Sequence, residues 1–442
     1  MALSGLDIYK LLPKTNCKEC GFPTCLAFAM QLAKKAVSVE KCPSVSPQTK
    51  AALDAASQPP IKQVTLGAGD AKFDIGNETV MFRHEEKFRN PCGIGFIIED
   101  SSSDAEIKSK IARINSLSFE RVGQKIEVNL VAIKQTKDPA RFVQAVKLAA
   151  ANTKLALALM SKDPQALKEA LGPVKDRKPL IYGADSSNFA EMGKLAKEFN
   201  AALAIKAKDL DDAAVLTQEL SKLGVNDLII DSGEKNISEK IWDLTQARRL
   251  ALKKSVRSLG YPAMVVVNKD DPYEEAMDAA TFILKYASLV LIKGLETWQV
   301  LSLLTLRQNI YTDPQKPLQI EPKVYPIGAA GKNSPVLVTT NFSLTYYTVV
   351  GEVEASKVPS YIISVDTEGM SVLTAWAAEK FTPEKISDTL NKLEVKGLVG
   401  HKNLVIPGYV AVMSGDLEEQ SGWKVVVGPK EAAGLPSFLK NL

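Results

Sequence analysis

Between Pro91 and Glu321 the sequence repeats one pattern, a short apolar run followed by a longer stretch with a polar-faced helical period. The runs are Gly95–Ile98, Ile126–Ile133, Leu155–Leu159, Leu180–Tyr182, Ala202–Ile205, Asp227–Ile230, Ala263–Val267 and Leu289–Ile292. A strand that is apolar on consecutive residues has to be buried on both faces, which is the condition of a parallel sheet covered by helices. Eight such units predict a closed (β/α)8 TIM barrel over 93–322, with an open doubly wound sheet as the other arrangement the pattern allows. The runs end in Glu99-Asp100, Asp185-Ser186, Asp231-Ser-Gly233, Asn268-Lys-Asp270 and Lys293-Gly294. Such residues decorate the rim where barrel enzymes do chemistry, but a Ser or Asp there is also the N-cap that any β/α connection needs.

The pattern restarts after Lys323 with four runs, Pro335–Thr339, Tyr361–Val365, Asn403–Ile406 and Lys424–Val427, each followed by a helical stretch. They predict a small, parallel, Rossmann-like α/β domain over 323–442, whose ligand belongs outside the carboxyl ends of the strands. Those ends are glycine-, alanine- and hydroxyl-rich, without charged clusters. Small residues let backbone approach a large flat molecule. Thr340, Tyr346, Gly369, Met370, Ser371, Val372, Leu373, Thr374, Gly408, Ala433 and Gly434 are the candidates for that contact. The same residues would serve equally as ordinary loop and capping positions. Neither G-x-G-x-x-G nor G-x-x-x-x-G-K-[ST] occurs, which argues against dinucleotides and nucleoside triphosphates.

The first 58 residues carry different chemistry. Cys17-Lys-Glu-Cys20-Gly-Phe-Pro-Thr-Cys25 and then Cys42-Pro43 set intervals of two, four and sixteen residues. Four thiolates so spaced suit an iron–sulfur cube, and Gly21 and Pro23 help the loop wrap it. A zinc site more often shows two close pairs, and a disulfide framework suits a short secreted domain. Cys92 has no nearby partner and reads as a small buried side chain. Leu26, Met30 and Ala33 share a helical face expected to cover the cluster. Residues 59–92 read as a connector with strand-like runs at Val64–Leu66, Phe73–Ile75 and Thr79–Phe82. The net charge of +4 is spread without a basic block interleaved with aromatics, which argues against nucleic acid. No apolar run is long enough for a membrane span and no signal peptide is seen, so the chain is expected in the cytoplasm.

Taken together, the segments resemble the corrinoid/iron–sulfur protein large (gamma) subunits of the anaerobic acetyl-CoA (Wood–Ljungdahl) pathway and the acetyl-CoA decarbonylase/synthase complex. The resemblance rests on Cys17-x2-Cys20-Gly21-x3-Cys25…Cys42-Pro43, the Gly76–Glu85 run, the barrel-like middle and the terminal α/β domain with Gly369-Met-Ser-Val-Leu373. It implies a 4Fe–4S cluster on Cys17, Cys20, Cys25 and Cys42, and a cobamide (a B12-type corrinoid) on the C-terminal domain. It also implies a small subunit completing a heterodimer. The role implied is methyl carriage, from a methyltetrahydrofolate (pterin) methyltransferase to the nickel–iron centre of acetyl-CoA synthase/carbon monoxide dehydrogenase.

Only His84 and His401 occur, and neither lies in a D-x-H-x-x-G motif. His401 precedes the third strand of the small sheet, away from the expected rim. A cobamide here would therefore lack a protein imidazole below the cobalt, which favours electron-rich cobalt(I), and the cluster would restore that state after accidental oxidation. No general acid or base is assigned, and the barrel is expected to be scaffold. Two other readings remain. One is a pterin-dependent methyltransferase using Asp185, Asp231 and Asn268 at the barrel rim; the other is an electron-transfer subunit whose last domain only binds a partner. Methyl carriage would demand domain motion, expected at 58–62 and 321–335.

Overall fold

The computed structural model describes residues 5–33, 36–46, 49–50, 53 and 59–442. The expected boundary at residue 58 lies outside them. At the amino end, α1 (Gly5–Leu11) and α2 (Cys25–Ala33) pack around Ile8, Leu12, Phe28, Ala29 and Val39. The buried stripe of α2 runs through Cys25, Phe28 and Ala29, while Leu26 and Met30 are 37% and 43% exposed. This corrects the expected face: the helix begins at Cys25, and burying that thiol turns the 3.6-residue stripe onto positions three and four further on.

The next segment forms a hairpin of β1 (Gln63–Leu66) and β2 (Phe73–Gly76), antiparallel with Gln63 opposite Gly76. Val64, Leu66 and Ile75 are fully buried in one cluster with Leu130, Ala156, Leu180, Ala202 and Leu289 from the barrel interior. The amide of Gly67 donates to Lys178 O and that of Lys62 to Gly260 O, both just ahead of barrel strands. The hairpin thus stoppers the amino-terminal end of the barrel. Thr79–Phe82 is not a strand. Val80 O instead accepts Arg248 Nε at 3.1 Å, beside the buried Arg248–Glu78 ion pair (2.8 Å).

The barrel itself alternates β3 (Gly93–Glu99), α3 (Asp104–Asn115), β6 (Leu130–Lys134), α4 (Pro139–Asn152), β7 (Ala156–Met160), α5 (Pro164–Leu171), β8 (Leu180–Ala184) and α6 (Phe189–Glu198). It continues through β9 (Ala202–Lys206), α7 (Leu210–Lys222), β10 (Leu228–Asp231), α8 (Ile237–Lys254), β11 (Met264–Val266), α9 (Pro272–Leu284), β12 (Leu289–Ile292) and α10 (Thr297–Ile310). The eight strands are parallel in the order β10-β9-β8-β7-β6-β3-β12-β11. A single bridge between Ile230 and Ala263, with Ile230 N on Pro262 O at 2.8 Å, joins the two ends, so the barrel is nearly closed. Capping explains much of the polarity at the strand ends: Asp138, Asp163, Asp209, Asn236 and Asp271 each cap the following helix, three of them ahead of a proline in its first turn.

One apolar run was too long to be a single strand. Residues 118–127 form a separate hairpin, β4 (Ser118–Arg121) and β5 (Gln124–Glu127), and the barrel strand starts only at Leu130. Its two-residue turn, Val122-Gly123, has φ of 56° and 66°, the type I′ geometry that normally selects Asn-Gly. Val122 packs against Ile320, Leu337 and Ile362. That burial offsets a left-handed conformation that a β-branched residue otherwise avoids.

Phe119–Ile126 and Thr312–Leu442 form a second compact unit. Its sheet has five strands, in the order β13 (Val324–Ile327), β15 (Ser360–Val365), β14 (Val336–Thr340), β16 (Asn403–Ile406) and β17 (Lys424–Val427). Four are parallel as expected, but β13 runs antiparallel to β15 and makes the sheet mixed. Pro326 hides this strand in the sequence, because proline is tolerated only on an edge. Strand pairing of 324–327 also removes that stretch as a hinge. Helices cover both faces: α11 (Ser343–Ser356) and α15 (Leu435–Lys440) on Leu337, Ile362 and Val405, and α12 (Val372–Ala377), α13 (Pro383–Lys392) and α14 (Ser414–Ser421) on Val336, Val338 and Ile363. Among the described residues no helix is long and apolar enough to cross a membrane.

Candidate functional site

The cysteine loop is bent by its own backbone. Lys14, Asn16, Lys18 and Gly21 all take left-handed φ values of 49–83°, and Gly21 N donates to Lys18 O at 2.9 Å. Asn16 is the clasp: its Oδ1 accepts Cys25 N at 2.8 Å, and its own amide donates to Cys25 Sγ at 3.3 Å. Cys25 and Cys42 are buried, Cys20 is half-buried and Cys17 is exposed. Burial pushes the Cys42 thiol up first, and Cys20, Cys17 and Cys25 each push it further. The four thiols are thus close enough to feel one another's charge. Among the described residues no three of them stand in coordinating geometry, and Cys17 is the exposed one of the four. Four thiolates that repel one another are the donor set a cationic iron–sulfur core neutralises. Cys92 stands apart, fully buried, with its thiol pushed up to about 12 by desolvation.

At the carboxyl ends of the C-terminal strands lies a cavity of about 330 Å³, lined by Leu337, Thr339, Thr345, Ser371, Tyr409 and Ala432 among others. Its walls are backbone drawn unusually close. A Cβ on Gly408 would stand 2.5 Å from Gly428 O, and one on Gly428 would stand 3.0 Å from Ile406 O. Tyr409 donates its phenol to the Glu431 carboxylate across the rim, which holds the phenol's pKa up. Thr339 is 1% exposed and lines the cavity, yet its hydroxyl has no hydrogen-bond partner. Ser364, opposite it on β15, has an equally unpartnered hydroxyl. An orphaned buried hydroxyl costs about 1–3 kcal/mol, so a ligand atom that pairs with it gains that much discrimination.

The residues expected at this rim do not all reach the cavity. Ser371, Val372 and Leu373 line the cavity, Ser371 as the residue before α12 with its hydroxyl 3.0 Å from that of Thr374. Gly408 and Gly434 act behind it as close-approach points; a Cβ on Gly434 would meet Pro429 Cβ at 2.8 Å. Gly369 (φ 75°) and Met370 shape the neighbouring loop, whereas Ala433 is exposed. Thr340 points to the opposite face of β14, sharing it with Val336 and Val338, and is likewise unpartnered. Tyr346 is buried against Tyr325 with ring centroids 4.7 Å apart, and burial pushes its phenol well up. Thr339 and Asn341 belong to the same strand end but are not among the candidate contacts. Asn341 accepts Thr367 N and Gly369 N at 2.9 Å on one oxygen and donates to Gln319 and Asp366, so it fixes the whole 366–370 loop. Strict alternation along β14 separates Thr339 from Thr340, and that period was the available signal.

The barrel rim is organised differently. Asp231 is 2% exposed and pairs with buried Lys240, while accepting Tyr182 OH at 2.7 Å and Gly233 N at 3.0 Å. Burial and Asp231 together hold the Tyr182 phenol well above its ordinary value. Asp100 takes the amides of Thr136 and Lys137, and Glu275 takes those of Lys293 and Gly294 with Gln299 Nε2. Asp185 binds Ser187, and Asn268 is exposed. The buried rim carboxylates are occupied by the barrel's own loops.

Comparison with known proteins adds the following. The family model described as CO dehydrogenase/acetyl-CoA synthase delta subunit matches residues 63–439, and one for an Fe–S cluster matches residues 12–44. The corrinoid/iron–sulfur protein large subunit of Moorella thermoacetica is 48% identical over 441 residues, covering 100% of this chain and 99% of that one. The acetyl-CoA decarbonylase/synthase complex subunit gamma of Methanopyrus kandleri is 35% identical, covering 99% and 98%. Among solved structures, dihydropteroate synthase from Thermus thermophilus aligns with 56% of this chain and 100% of its own at 12% identity and a TM-score of 0.38.

Proposed function

The chain belongs to the family of corrinoid/iron–sulfur protein large subunits and acetyl-CoA decarbonylase/synthase gamma subunits, and from that membership we propose that it is a methyl carrier. The observation that carries the reading is the cavity at the strand ends of the C-terminal sheet, built of close backbone and an orphaned Thr339 hydroxyl. When bound, the corrinoid supplies a cobalt centre that takes a methyl group from a methyltetrahydrofolate methyltransferase and yields it to acetyl-CoA synthase, and the cluster supplies the electron that keeps this centre usable.

This chain's residues have three tasks in that scheme. Cys17, Cys20, Cys25 and Cys42 hold the 4Fe–4S cluster, with Asn16 fixing Cys25 in advance. Thr339, Ser371, Val372 and Leu373 face the corrinoid, and Gly408, Gly428 and Gly434 let backbone reach it. Thr340, Tyr346, Gly369, Met370, Thr374 and Ala433 brace or border that surface. Third, the C-terminal unit would offer a bound corrinoid no histidine at this rim. Its one histidine, His401, lies ahead of β16, at the amino ends of the strands, with Nε2 on Ser334 O at 3.0 Å and Nδ1 taking Asn403 N. A small partner subunit completes the site over the exposed Leu373 and Tyr409.

Anaerobic co-purification with the small subunit tests the reading by iron, sulfide and cobalt content and by the electron paramagnetic resonance of the cobalt(II) form. One cluster and one corrinoid per chain, without nitrogen coupling from protein, is the expected result. Zinc in place of iron, or no corrinoid, overturns it. A pterin-dependent methyltransferase at the barrel rim is disfavoured because Asp231 already accepts from Lys240, Tyr182 and Gly233 N, which leaves little acceptor capacity for the N–H edge of a pterin.

A further inference from the structure

A second cavity, of about 420 Å³, lies at the amino-terminal end of the barrel, lined by Lys72, Phe73, Asp74, Asn90, Asn129 and Arg307. Arg307, on α10, is only 9% exposed. A guanidinium so buried ordinarily lies against a carboxylate, because an unpaired buried charge is costly. Here its hydrogen bonds go to Cys92 O (3.2 Å), Asn129 Oδ1 (2.6 Å) and Glu127 O (2.7 Å), all neutral acceptors. Three of its five N–H groups are used in this way. No carboxylate among the described residues forms an ion pair with it; the side chain of Glu127 acts on it through space only.

The neighbouring groups point the same way. Asn129 Oδ1 is filled by Arg307 and by Ile94 N at 3.1 Å, which leaves the Asn129 amide NH2 to the cavity. Lys72 is exposed and pairs with no carboxylate among the described residues. The cavity's one carboxylate, Asp74, already accepts the Thr65 hydroxyl at 2.5 Å. Two cations therefore line the cavity with one carboxylate, and the buried cation is the one with no carboxylate in contact. Asn90 braces the wall through its Nδ2 on Gly76 O at 3.0 Å.

We propose that this cavity is a binding site for a phosphate-type oxyanion, gripped by the Arg307 guanidinium and the Asn129 amide and closed over by Lys72. Such an ion neutralises the buried charge at the point where the hairpin plug meets α10, so occupancy also locks the plug. The oxyanion is either free phosphate or the terminal group of a small phosphomonoester, for which Phe73 offers an apolar wall.

The test is calorimetric titration of the full-length chain with inorganic phosphate and, separately, with adenosine monophosphate, against sodium chloride at equal ionic strength. Phosphate is expected to bind and to raise Tm above the chloride control; tighter binding of the nucleotide would identify the organic source. Lys72→Ala, an exposed change that leaves the fold intact, is expected to weaken phosphate about tenfold through loss of one charge-assisted contact. Arg307→Lys keeps the charge but loses the fork, and is expected to weaken it at least as much. Equal behaviour of phosphate and chloride, or of wild type and Lys72→Ala, overturns the proposal and leaves Arg307 as an internal staple only.

Discussion

The barrel rim and the rim of the C-terminal sheet occupy the same topological position, the carboxyl ends of parallel strands, yet they are finished in opposite ways. At the barrel rim every buried carboxylate is occupied: Asp231 by Lys240 and Tyr182, Asp100 by Thr136 and Lys137, Glu275 by Lys293, Gly294 and Gln299. At the small sheet two facing hydroxyls, Thr339 and Ser364, are buried with nothing to bond. Position in a fold therefore does not make a site. A site needs unsatisfied polarity and unfilled space together: the barrel rim leaves Gln299 Oε1 unpartnered beside Glu275, whereas at the small sheet the unpartnered Thr339 hydroxyl lies on a cavity.

The largest effect that would break this contrast comes from the barrel. Asp231→Ala strands Lys240 in a nearly dry interior, and removing one member of a buried pair costs about 3–5 kcal/mol. Urea unfolding should show that loss, with corrinoid content per folded chain unchanged. If corrinoid content falls in step with no loss of stability, the barrel rim is a working site and the contrast fails. The double change Asp231→Leu, Lys240→Met should recover most of the stability.

Two smaller changes probe the other rim. Gly408→Ala drives a Cβ to 2.5 Å from Gly428 O, where only backbone can yield, so about 1–3 kcal/mol of overpacking strain is expected together with loss of corrinoid from the purified complex. Thr339→Val replaces an unpaired hydroxyl by a methyl group of equal shape. The ligand-free chain should be unchanged or more stable by about 0.5–1 kcal/mol, while corrinoid dissociates faster. A destabilised ligand-free chain would mean that Thr339 has a structural partner and is not held for a ligand.

How far these two regions were legible follows from what each is made of. All eight barrel strands show in the sequence because both faces of each are apolar. The Ile126–Ile133 run blurred one boundary, since Val122-Gly123 does not look like a turn until Val122 is seen half-buried against another core. Strand β13 stayed hidden behind Pro326. The cysteine spacing of the Fe–S segment shows in the sequence, but the clasp of Asn16 on Cys25 does not, because a lone Asn in a loop has many uses. At the rim of the small sheet the loops show in the sequence, but which of Thr339 and Thr340 faces the cavity does not follow from loop composition, whereas strand alternation carries that information. Networks such as Asp231–Lys240–Tyr182 join residues far apart in sequence, and nothing local announces them.

The smallest effect sharpens the barrel half. Cys92 is the barrel's buried thiol, and its environment favours the neutral form so strongly that its pKa rises from 9.0 to about 12. In the unfolded chain the thiol ionises near its ordinary value. Below that value the thiol is neutral in both states and the fold keeps its full stability; between about 9 and 12 the unfolded chain sheds a proton that the folded chain retains, so stability falls as pH rises. Cys92→Ala removes this one contribution and leaves the other alkaline titrations in place. The stability difference between wild type and Cys92→Ala, measured by urea unfolding from neutral pH to about pH 10.5 under reducing conditions, should therefore move in the variant's favour as pH rises. A constant difference would mean that the thiolate is accommodated beside Arg307 after all, and that the barrel interior tolerates a charge it was built to exclude.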